Sequence, residues 1–375
     1  MNILIITQDY PDRKRNAYAF VQQLVNQIAN MGHDCCVISP YSIVSNHGWY
    51  KFKERQKIGK GNIEILRPNH ISLSKYKILG FSPTNYFRKL AIKKAIRQLP
   101  FKPDVIYAHF WRSGREIYPY AKRHNIPLFI ATGESVIPRD DINPSFKDFY
   151  DFVRGVICVS TKNKDESISN GMTKDDKCIV LPNSINPSLF RKMDRDACRK
   201  ELNISKDVFL VAFCGALCHR KGVGVLSEAI DSIKGEPVYS FFIGRPYGEL
   251  PTCSNIIYQG SVPHDNLVTY LNAADVFVLP TLHEGCCNAI IEALACGLPI
   301  ISSNLPFNWD VLDETNSILV DPNSSEQIAK AIIELRDDKG KRGRLASGAI
   351  ETAKQLTLEE RASKIFNFIE ERMTR

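Results

Sequence analysis

Residues 279–302, LPTLHEGCCNAIIEALACGLPIIS, predict a strand, a loop, a short helix, a Gly-Pro turn and a second strand. The run 275–280 is short and apolar and ends at a proline, as a buried parallel strand does. The helix is expected to begin near Asn288, to bury an apolar face and to stop at Gly297, with Pro299 just beyond it. This stretch therefore predicts a β-α-β unit of a parallel sheet, around which the rest of the chain is organised.

The start of this helix is a candidate anion site. Helix N–H groups and the positive end of the helix dipole point toward the carboxyl end of the preceding strand, where they suit a diphosphate. Glu284 in the loop and Glu292 inside the helix flank this site. Because a carboxylate repels a phosphate, vicinal hydroxyls of a sugar are the natural partners of these glutamates. The alternative is that both are solvated surface residues.

The spacing of these glutamates resembles a known signature. Glu284-Gly285, six residues and then Glu292-Ala-x-Ala-Cys-Gly-x-Pro-Ile is similar to the donor site of retaining glycosyltransferases of family 4, including bacterial polysaccharide and teichuronic-acid-type enzymes. The resemblance implies an α/β protein of the GT-B fold, with two Rossmann-like parallel-sheet domains facing an interdomain cleft. It also implies that Glu284 contacts the donor sugar as a catalytic residue and that Glu292 contacts the nucleotide ribose. The donor-binding residues between them are Gly285, Cys286, Cys287 and Asn288.

A second loop, residues 215–222 (GALCHRKG), follows another predicted strand. In such an arrangement, a lysine that follows a strand and a glycine loop can bring its ammonium group to a diphosphate. The alternative is that this lysine is an ordinary solvated loop residue. Lys221 matches the lysine with which the family grips the donor phosphates. The family's arginine is replaced by Ala216, and Arg220 is the candidate substitute. We expect Gly215, Arg220 and Lys221 to bind the donor.

The first half of the chain contributes three further candidates. His109 follows the predicted strand 103–108, at the edge where α/β folds bind ligands. It resembles the family's histidine near the reaction centre, although a lone histidine is more often structural. Glu134 follows the predicted strand 127–132, in a loop where relatives carry His or Asp. The loop after the first strand contains Asn16 and is where the family contacts its acceptor. We expect a catalytic role for His109 and acceptor contacts for Asn16 and Glu134.

A length of 375 residues predicts two domains of ordinary size. The segment 182–186 (PNSIN) resembles the family's PNGID linker. We therefore expect residues 1–185 to form an acceptor-binding domain and residues 186–357 a donor-binding domain. By the same resemblance, the terminal helix within residues 358–375 packs back on the first domain.

The net charge of +8 is unevenly distributed, with +12 in residues 1–185 and −4 in the remainder. Residues 65–103 contain nine basic residues and no acidic one, and within them 84–99 predicts a helix. Leu90 is expected on its apolar side and Arg88 among the charges around it. Such a helix is typical of proteins that dock on an anionic membrane. The alternatives are a domain helix with a solvated face and a nucleic-acid partner, for which no motif is present.

Other features limit the class of protein. No apolar run reaches the length of a membrane span, no signal peptide is visible, and the eleven cysteines include no CxxC spacing. These features favour free thiols and a cytoplasmic protein that is peripheral on the inner face of the plasma membrane. Neither a DxD sequence nor a histidine cluster is present, so we expect no metal and no cofactor.

The expected function is transfer of a sugar from a UDP- or GDP-linked donor to a saccharide or lipid-linked saccharide acceptor, in cell-surface polysaccharide biosynthesis. The resemblance implies retention of the anomeric configuration, and the helix start together with Lys221 would stabilise the leaving diphosphate. One alternative is a nucleotide-sugar-binding protein that has lost catalysis, which Ala216 favours. The other is a dehydrogenase, which the first loop disfavours because it lacks GxGxxG.

Overall fold

The computed structural model describes residues 1–12, 18–73, 82–233, 235 and 237–373. The chain divides into two compact units. The first comprises Met1–Val159, Asn163–Leu181 and the chain from Ala362 onward, and the second comprises Ser160–Lys162 and Pro182–Arg361. The main division thus falls between Leu181 and Pro182, a few residues before the expected position.

The first unit is built on a mainly parallel sheet. Its strands are β1 (Asn2–Thr7), β2 (Asp34–Ile38), β3 (Tyr41–Ser42), β4 (Lys53–Ile58), β5 (Gly61–Leu66), β6 (Asn69–His70), β7 (Val105–His109), β8 (Leu128–Thr132), β9 (Gly155–Cys158) and β10 (Cys178–Val180). Eight of them form one sheet of order β10-β9-β8-β7-β1-β2-β5-β4, and β3 pairs with β6. Every pair is parallel except the β4–β5 hairpin. The sequence analysis missed this hairpin, because β4 is a polar edge strand without an apolar run.

Helices alternate with these strands, as a doubly wound fold requires. They are α1 (Ala19–Asn30), α2 (Pro83–Ile96), α3 (Trp111–His124), α4 (Lys147–Phe152) and α5 (Thr161–Ser169). The fully buried Trp111 makes edge-to-face contacts with the rings of Phe149 and Tyr150, at centroid distances of 6.2 and 5.9 Å. These contacts fix the start of α3 at the end of β7, where a candidate site residue lies.

Helix α2 differs from the sequence expectation. Its buried residues include Arg88, Ala91 and Ile92, whereas Leu90 is 44% exposed. Arg88 Nε donates to both carboxylate oxygens of Glu116 on α3, at 2.9 and 3.1 Å. The assignment of Leu90 to the buried side and of Arg88 to the solvated charges is therefore wrong. The counter-charge on α3 allows the guanidinium to be internal, and no pattern within α2 reveals a partner so distant in sequence.

The second unit carries a sheet that is parallel throughout. Its strands are β11 (Phe209–Cys214), β12 (Val238–Ile243), β13 (Ile256–Gly260), β14 (Val276–Leu279), β15 (Ile300–Ser303) and β16 (Ser317–Val320), in the order β13-β12-β11-β14-β15-β16. Its helices are α6 (Arg195–Glu201), α7 (Val223–Ser232), α8 (Leu267–Ala273), α9 (Asn288–Ala295), α10 (Ser325–Asp337) and α11 (Lys339–Gln355). The predicted β-α-β unit is confirmed as β14, α9 and β15, with β14 and β15 paired in parallel.

The last helix, α12 (Leu358–Met373), crosses the boundary between the two divisions of the chain. From Ala362 onward it packs on the first unit. Phe366 stacks on His33 with ring centroids 4.5 Å apart, and Phe368 lies against Gly155, where an added Cβ would come within 2.6 Å of the ring. Within the described part of the chain, no helix is long and apolar enough to cross a membrane.

Candidate functional site

The order of the second unit's sheet reverses between β11 and β14. In open α/β sheets, ligands bind at the carboxyl ends of the strands where the order reverses. Two loops leave this point in the second unit, residues 215–222 after β11 and residues 280–287 after β14. The donor-binding residues expected from the sequence lie on these two loops and on α9, which follows the second.

The first loop is shaped by glycine at both of its ends. The amide of Gly215 donates to the carbonyl of Ile243 at 2.9 Å. Gly222 has a φ of 77° and precedes α7, and a Cβ at this position would lie 2.4 Å from the carbonyl oxygen of Pro280. Only glycine accommodates both the left-handed backbone and this close approach. The two loops therefore lie in direct contact, and Lys221 is held beside the second loop.

Two cations of the first loop meet one carboxylate of the second. Lys221 Nζ lies 2.5 Å and Arg220 Nη1 2.6 Å from Glu284 Oε1. The hydroxyl of Thr281 donates to the same oxygen at 3.1 Å. We call Arg220, Lys221, Thr281 and Glu284 the donor cluster. It contains two positive charges and one negative, so it retains an excess of positive charge.

Burial and ion pairing act in opposite directions on the donor cluster. Burial alone would raise the pKa of Glu284, but Lys221 and Arg220 outweigh it and lower the pKa below its ordinary value. Burial alone would lower the pKa of Lys221, but Cys287 and Glu284 outweigh it and raise the pKa. Both groups are therefore ionised at neutral pH.

Arg220 also joins the two loops through both its side chain and its backbone. Its guanidinium donates to the carbonyl of His283 at 2.6 Å, and its own carbonyl accepts from the amide of Leu282 at 2.9 Å and lies 3.2 Å from Thr281 Oγ1. Through these hydrogen bonds, Arg220 holds in place the loop that carries Glu284.

The start of α9 adds backbone donors to this site. Cys287 is the residue before the helix and provides no side-chain cap, and its sulfur lies 3.9 Å from Lys221 Nζ. Asn183 Nδ2 donates to the carbonyl of Cys286 at 3.0 Å and to Asn288 Oδ1 at 2.8 Å. Gly285, like the two cysteines, is buried. An uncapped helix start beside an ammonium group is suited to bind a phosphate.

Glu292 lies one turn inside α9 and has a partner that sequence reasoning missed. Its Oε1 is 3.0 Å from Nε2 of His264, whose ring packs edge-to-face on Phe190 at 5.1 Å. The hydrogen bond to Glu292 raises the pKa of His264 above its ordinary value. Residues 264–272 do suggest a helix with a polar start, but nothing in the sequence pairs them with residue 292.

The first unit has its own reversal of strand order, between β1 and β7. His109 is the last residue of β7 and is buried. Its ring makes edge-to-face contacts with Tyr107 at 5.0 Å and Phe20 at 6.0 Å. The imidazole therefore lies at the carboxyl end of β7, beside the reversal of strand order, and is held among aromatic rings.

Glu134 lies just after β8 in the same unit. Its Oε2 accepts from Thr132 Oγ1 at 2.7 Å and from the amide of Gly133 at 2.9 Å. Its Oε1 is buried and accepts no hydrogen bond from the described residues. Burial raises the pKa of this carboxyl group above its ordinary value. Asn16, the other expected acceptor contact, lies outside the described residues.

Comparison with known proteins now identifies the family. Residues 19–189 match the family model described as Glycosyltransferase Family 4, and residues 194–352 match the model described as Glycosyl transferases group 1. The chain belongs to the family-4-type glycosyltransferases.

Relatives and solved structures agree with this assignment. TuaC of Bacillus subtilis (strain 168), a glycosyltransferase assigned to teichuronic acid biosynthesis, is 28% identical, with 88% of each chain covered. Sucrose-phosphate synthase from Thermosynechococcus elongatus has a TM-score of 0.77 at 18% identity, covering 99% of this chain and 98% of its own. HepE from Anabaena, solved with UDP and glucose, has a TM-score of 0.72 at 16% identity, covering 98% of this chain and 99% of its own. The GT-B fold is thereby confirmed.

The residues that the sequence predicts to bind the donor form two separate groups of contacts. Arg220, Lys221 and Glu284 contact one another, with Cys287 beside the lysine. Glu292 instead contacts His264. Among the described residues, no three His, Cys, Asp or Glu side chains are grouped so that they could hold a metal ion.

Proposed function

We propose that this glycosyltransferase moves a sugar from a UDP- or GDP-linked donor to a saccharide or lipid-linked saccharide, with retention of configuration and without a metal ion or cofactor. The observation that carries the proposal is the donor cluster beside the start of α9. Two cations and an uncapped helix start form a site for a diphosphate. The similarity to TuaC supports a place in cell-surface polysaccharide biosynthesis.

Donor binding would rearrange the charges of the donor cluster. Without a ligand, Glu284 is the counter-ion of Lys221 and Arg220. A diphosphate has more negative charge than one carboxylate and would take over part of the interaction with these cations. Glu284 would then accept hydrogen bonds from hydroxyls of the donor sugar. Glu292, one turn along α9, would accept from the ribose diol.

Catalysis would then be electrostatic. As the bond between the sugar and the diphosphate breaks, charge develops on the leaving oxygens, and Lys221 together with the N–H groups at the start of α9 stabilises it. The leaving phosphate itself takes the proton of the acceptor hydroxyl, so that no protein base is required. His109 would contact the reacting sugar, and the free Oε1 of Glu134 would accept a hydrogen bond from an acceptor hydroxyl.

A second candidate function is nucleotide-sugar binding without transfer. Ala216 favours it, because the family's phosphate-binding arginine is absent and Arg220 is tied to the carbonyl of His283. Under this alternative the donor would bind and the sugar would not be transferred.

The first experiment is a thermal-shift screen of UDP- and GDP-sugars, because a ligand that binds only the folded state raises its stability. Lys221→Met should abolish the shift, whereas Lys330→Met, a change at an exposed lysine of α10, should not.

A transfer assay then separates the two candidate functions. The nucleotide sugar found in the screen is incubated with oligosaccharide and lipid-linked acceptors, and formation of a product contradicts the binding-only function. NMR of the product should show the donor's anomeric configuration, and excess chelator should leave the rate unchanged. An inverted product, or a rate that collapses with chelator, would contradict the proposal.

A further inference from the structure

A groove of about 860 Å³ lies between α2 and α3 of the first unit. The basic side chains that line it are Lys89, Lys93 and Arg97 from α2 and Arg112, Arg115 and Arg123 from α3. We call these six residues the basic groove. Of the described residues that line the same cavity, Glu116 alone carries a carboxylate. The sequence drew attention to α2 alone, and the contribution of α3 becomes visible only in the fold.

The carboxylates near the basic groove are already engaged. Glu116 is paired with the internal Arg88 at 2.9 Å and with Arg112 at 3.4 Å. Asp141 is paired with Arg115 at 2.8 Å. The charge of each carboxylate is therefore already neutralised by arginines of the same unit, so neither carboxylate is left to pair with the other cations of the groove.

Four cations of the basic groove have no counter-ion among the residues that the structure describes. No carboxylate in the described part of the chain lies within ion-pair distance of Lys89, Lys93, Arg97 or Arg123. Lys89, Lys93 and Arg97 follow one another at intervals of four residues, so that like charges are neighbours on the helix surface. This arrangement is unfavourable in the isolated protein and becomes favourable when an anion binds.

The outer face of α2 also exposes large apolar side chains. Tyr86 is 49% and Leu90 44% exposed. With a helical period of 3.6 residues, both lie on the same side as Lys93 and Arg97. The opposite side, which includes Arg88 and Ala95, is buried in the unit. Basic side chains beside exposed tyrosyl and aliphatic side chains on one outer face form a surface that can contact phosphate head groups and the apolar layer next to them.

We propose that the basic groove and the outer face of α2 bind the phosphate head groups of an anionic lipid bilayer. The cations pair with the phosphates, and Leu90 and Tyr86 enter the head-group layer. Nucleic acid would offer the same phosphates but no apolar layer for Leu90. The use of this surface in catalysis rests on the proposed transfer to a lipid-linked acceptor, whereas the binding itself does not depend on that function.

The test is co-sedimentation of the full chain with vesicles of phosphatidylcholine alone or of phosphatidylcholine with phosphatidylglycerol, at low and high salt. The test variant combines Lys89→Ser, Lys93→Ser and Arg97→Ser. The matched control combines Lys330→Ser, Lys339→Ser and Arg344→Ser, which removes the same charge from exposed positions on α10 and α11. We expect the wild type and the control to bind the anionic vesicles at low salt only. The affinity of the test variant for the same vesicles should fall by about tenfold or more.

Further measurements separate the other outcomes. Leu90→Asp should weaken vesicle binding while all the basic residues remain. Equal binding to neutral vesicles, no binding of the wild type to anionic vesicles, or unchanged binding of the test variant would each overturn the proposal. Salt-sensitive binding of the wild type to single-stranded RNA or duplex DNA, without vesicle binding, would assign the groove to nucleic acid. Thermal shifts with the nucleotide sugar should be equal in all variants, so that failure of lipid binding and failure of donor binding are distinguishable.

Discussion

The donor cluster and the basic groove are both rich in cations, but they differ in whether these cations are paired with carboxylates. In the donor cluster, Lys221 is 8% exposed, and it and Arg220 share the carboxylate of Glu284. In the basic groove, four of the six cations have no counter-ion among the described residues. A buried cation needs a partner to be stable, whereas an exposed one is stabilised by water.

This difference indicates how each region would meet its ligand. The donor cluster keeps its cations in place by means of an internal anion, which an incoming diphosphate must partly displace. The basic groove carries an excess of charge that weakens the protein slightly and attracts an anion over a distance. The predictions below test this contrast, beginning with the largest expected effect.

Lys221→Met should have the largest effect, because it removes the buried cation that pairs with the largely buried carboxylate of Glu284 and leaves only Arg220 as a cation beside it among the described residues. Removal of one partner of a buried ion pair costs about 3 kcal/mol of stability. Denaturant unfolding should show this loss, and isothermal calorimetry should show no binding of the donor nucleotide. Lys330→Met on α10 is the matched control and should change neither quantity.

The double variant Lys221→Met, Glu284→Gln sharpens this test. Removal of the negative charge should restore most of the lost stability, because the one ion left without its partner is Arg220, whose side chain is 42% exposed and can be solvated by water, while nucleotide binding should stay absent. If the double variant were as unstable as Lys221→Met, the ion pair would not be the source of the stability, and the contrast between the two regions would fail.

The two glutamates should differ in the step that they affect. Glu292→Ala should weaken nucleotide-sugar binding by about 1.5–3 kcal/mol, because it removes a charged acceptor of the ribose diol. Glu284→Ala should mainly lower turnover, because its contact with the sugar strengthens as charge develops. Steady-state kinetics together with calorimetry would separate the two effects. Equal losses of binding in both variants, with turnover unchanged, would contradict this division.

The sequence was sufficient for those parts of the molecule that depend on local pattern. The apolar run before Pro280, the helix from Asn288 and the stop at Gly297 all agree with the structure. Short buried strands and helix ends are determined by periodicity and by single residues such as glycine, which can be read along the chain. The GT-B fold was implied by the resemblance of residues 284–300 to the donor site of family 4 glycosyltransferases.

The sequence was insufficient where a residue's surroundings depend on distant segments. Neither the contact of His264 with Glu292 nor that of Arg88 with Glu116 has a local signal, since 28 residues separate the partners of each pair. The binding of Arg220 to the carbonyl of His283 likewise requires the strand order, which brings two loops together. Residue type indicated which side chains could bind a donor, but only the fold showed which ion pairs these side chains already form with one another.

The unpaired charges of the basic groove should reduce stability. Like charges four residues apart on a helix destabilise it by a few tenths of a kcal/mol each. A variant with Lys89, Lys93 and Arg97 replaced by Gln, a residue of similar helix propensity, should therefore be more stable than wild type by about 0.5 kcal/mol at low salt. Denaturant unfolding at low and high salt measures this difference, which should vanish when salt screens the charges. A loss of stability at low salt would mean that these cations make favourable contacts, and the contrast with the donor cluster would disappear.

The smallest expected effect concerns His264. Its charge resembles those of the donor cluster in having a carboxylate partner, Glu292, and those of the basic groove in being exposed to water, since its side chain is 41% exposed. The hydrogen bond to Glu292, together with the nearby Asp265, raises the pKa of His264 above its unfolded value of 6.5. A raised pKa means that the stabilisation is fully present below pH 6.5 and is lost as the pH rises through the pKa of the folded state. Because water screens the exposed imidazole, the difference in stability between wild type and His264→Ala should be only a few tenths of a kcal/mol at about pH 5.5, and smaller still at about pH 9. Denaturant unfolding of both proteins at the two pH values measures it, and His283→Ala, which removes an exposed histidine from the neighbouring loop, is the control. A difference that grew with pH would mean that Glu292 does not stabilise the charged imidazole, and its carboxylate would then be free for a ribose without competition.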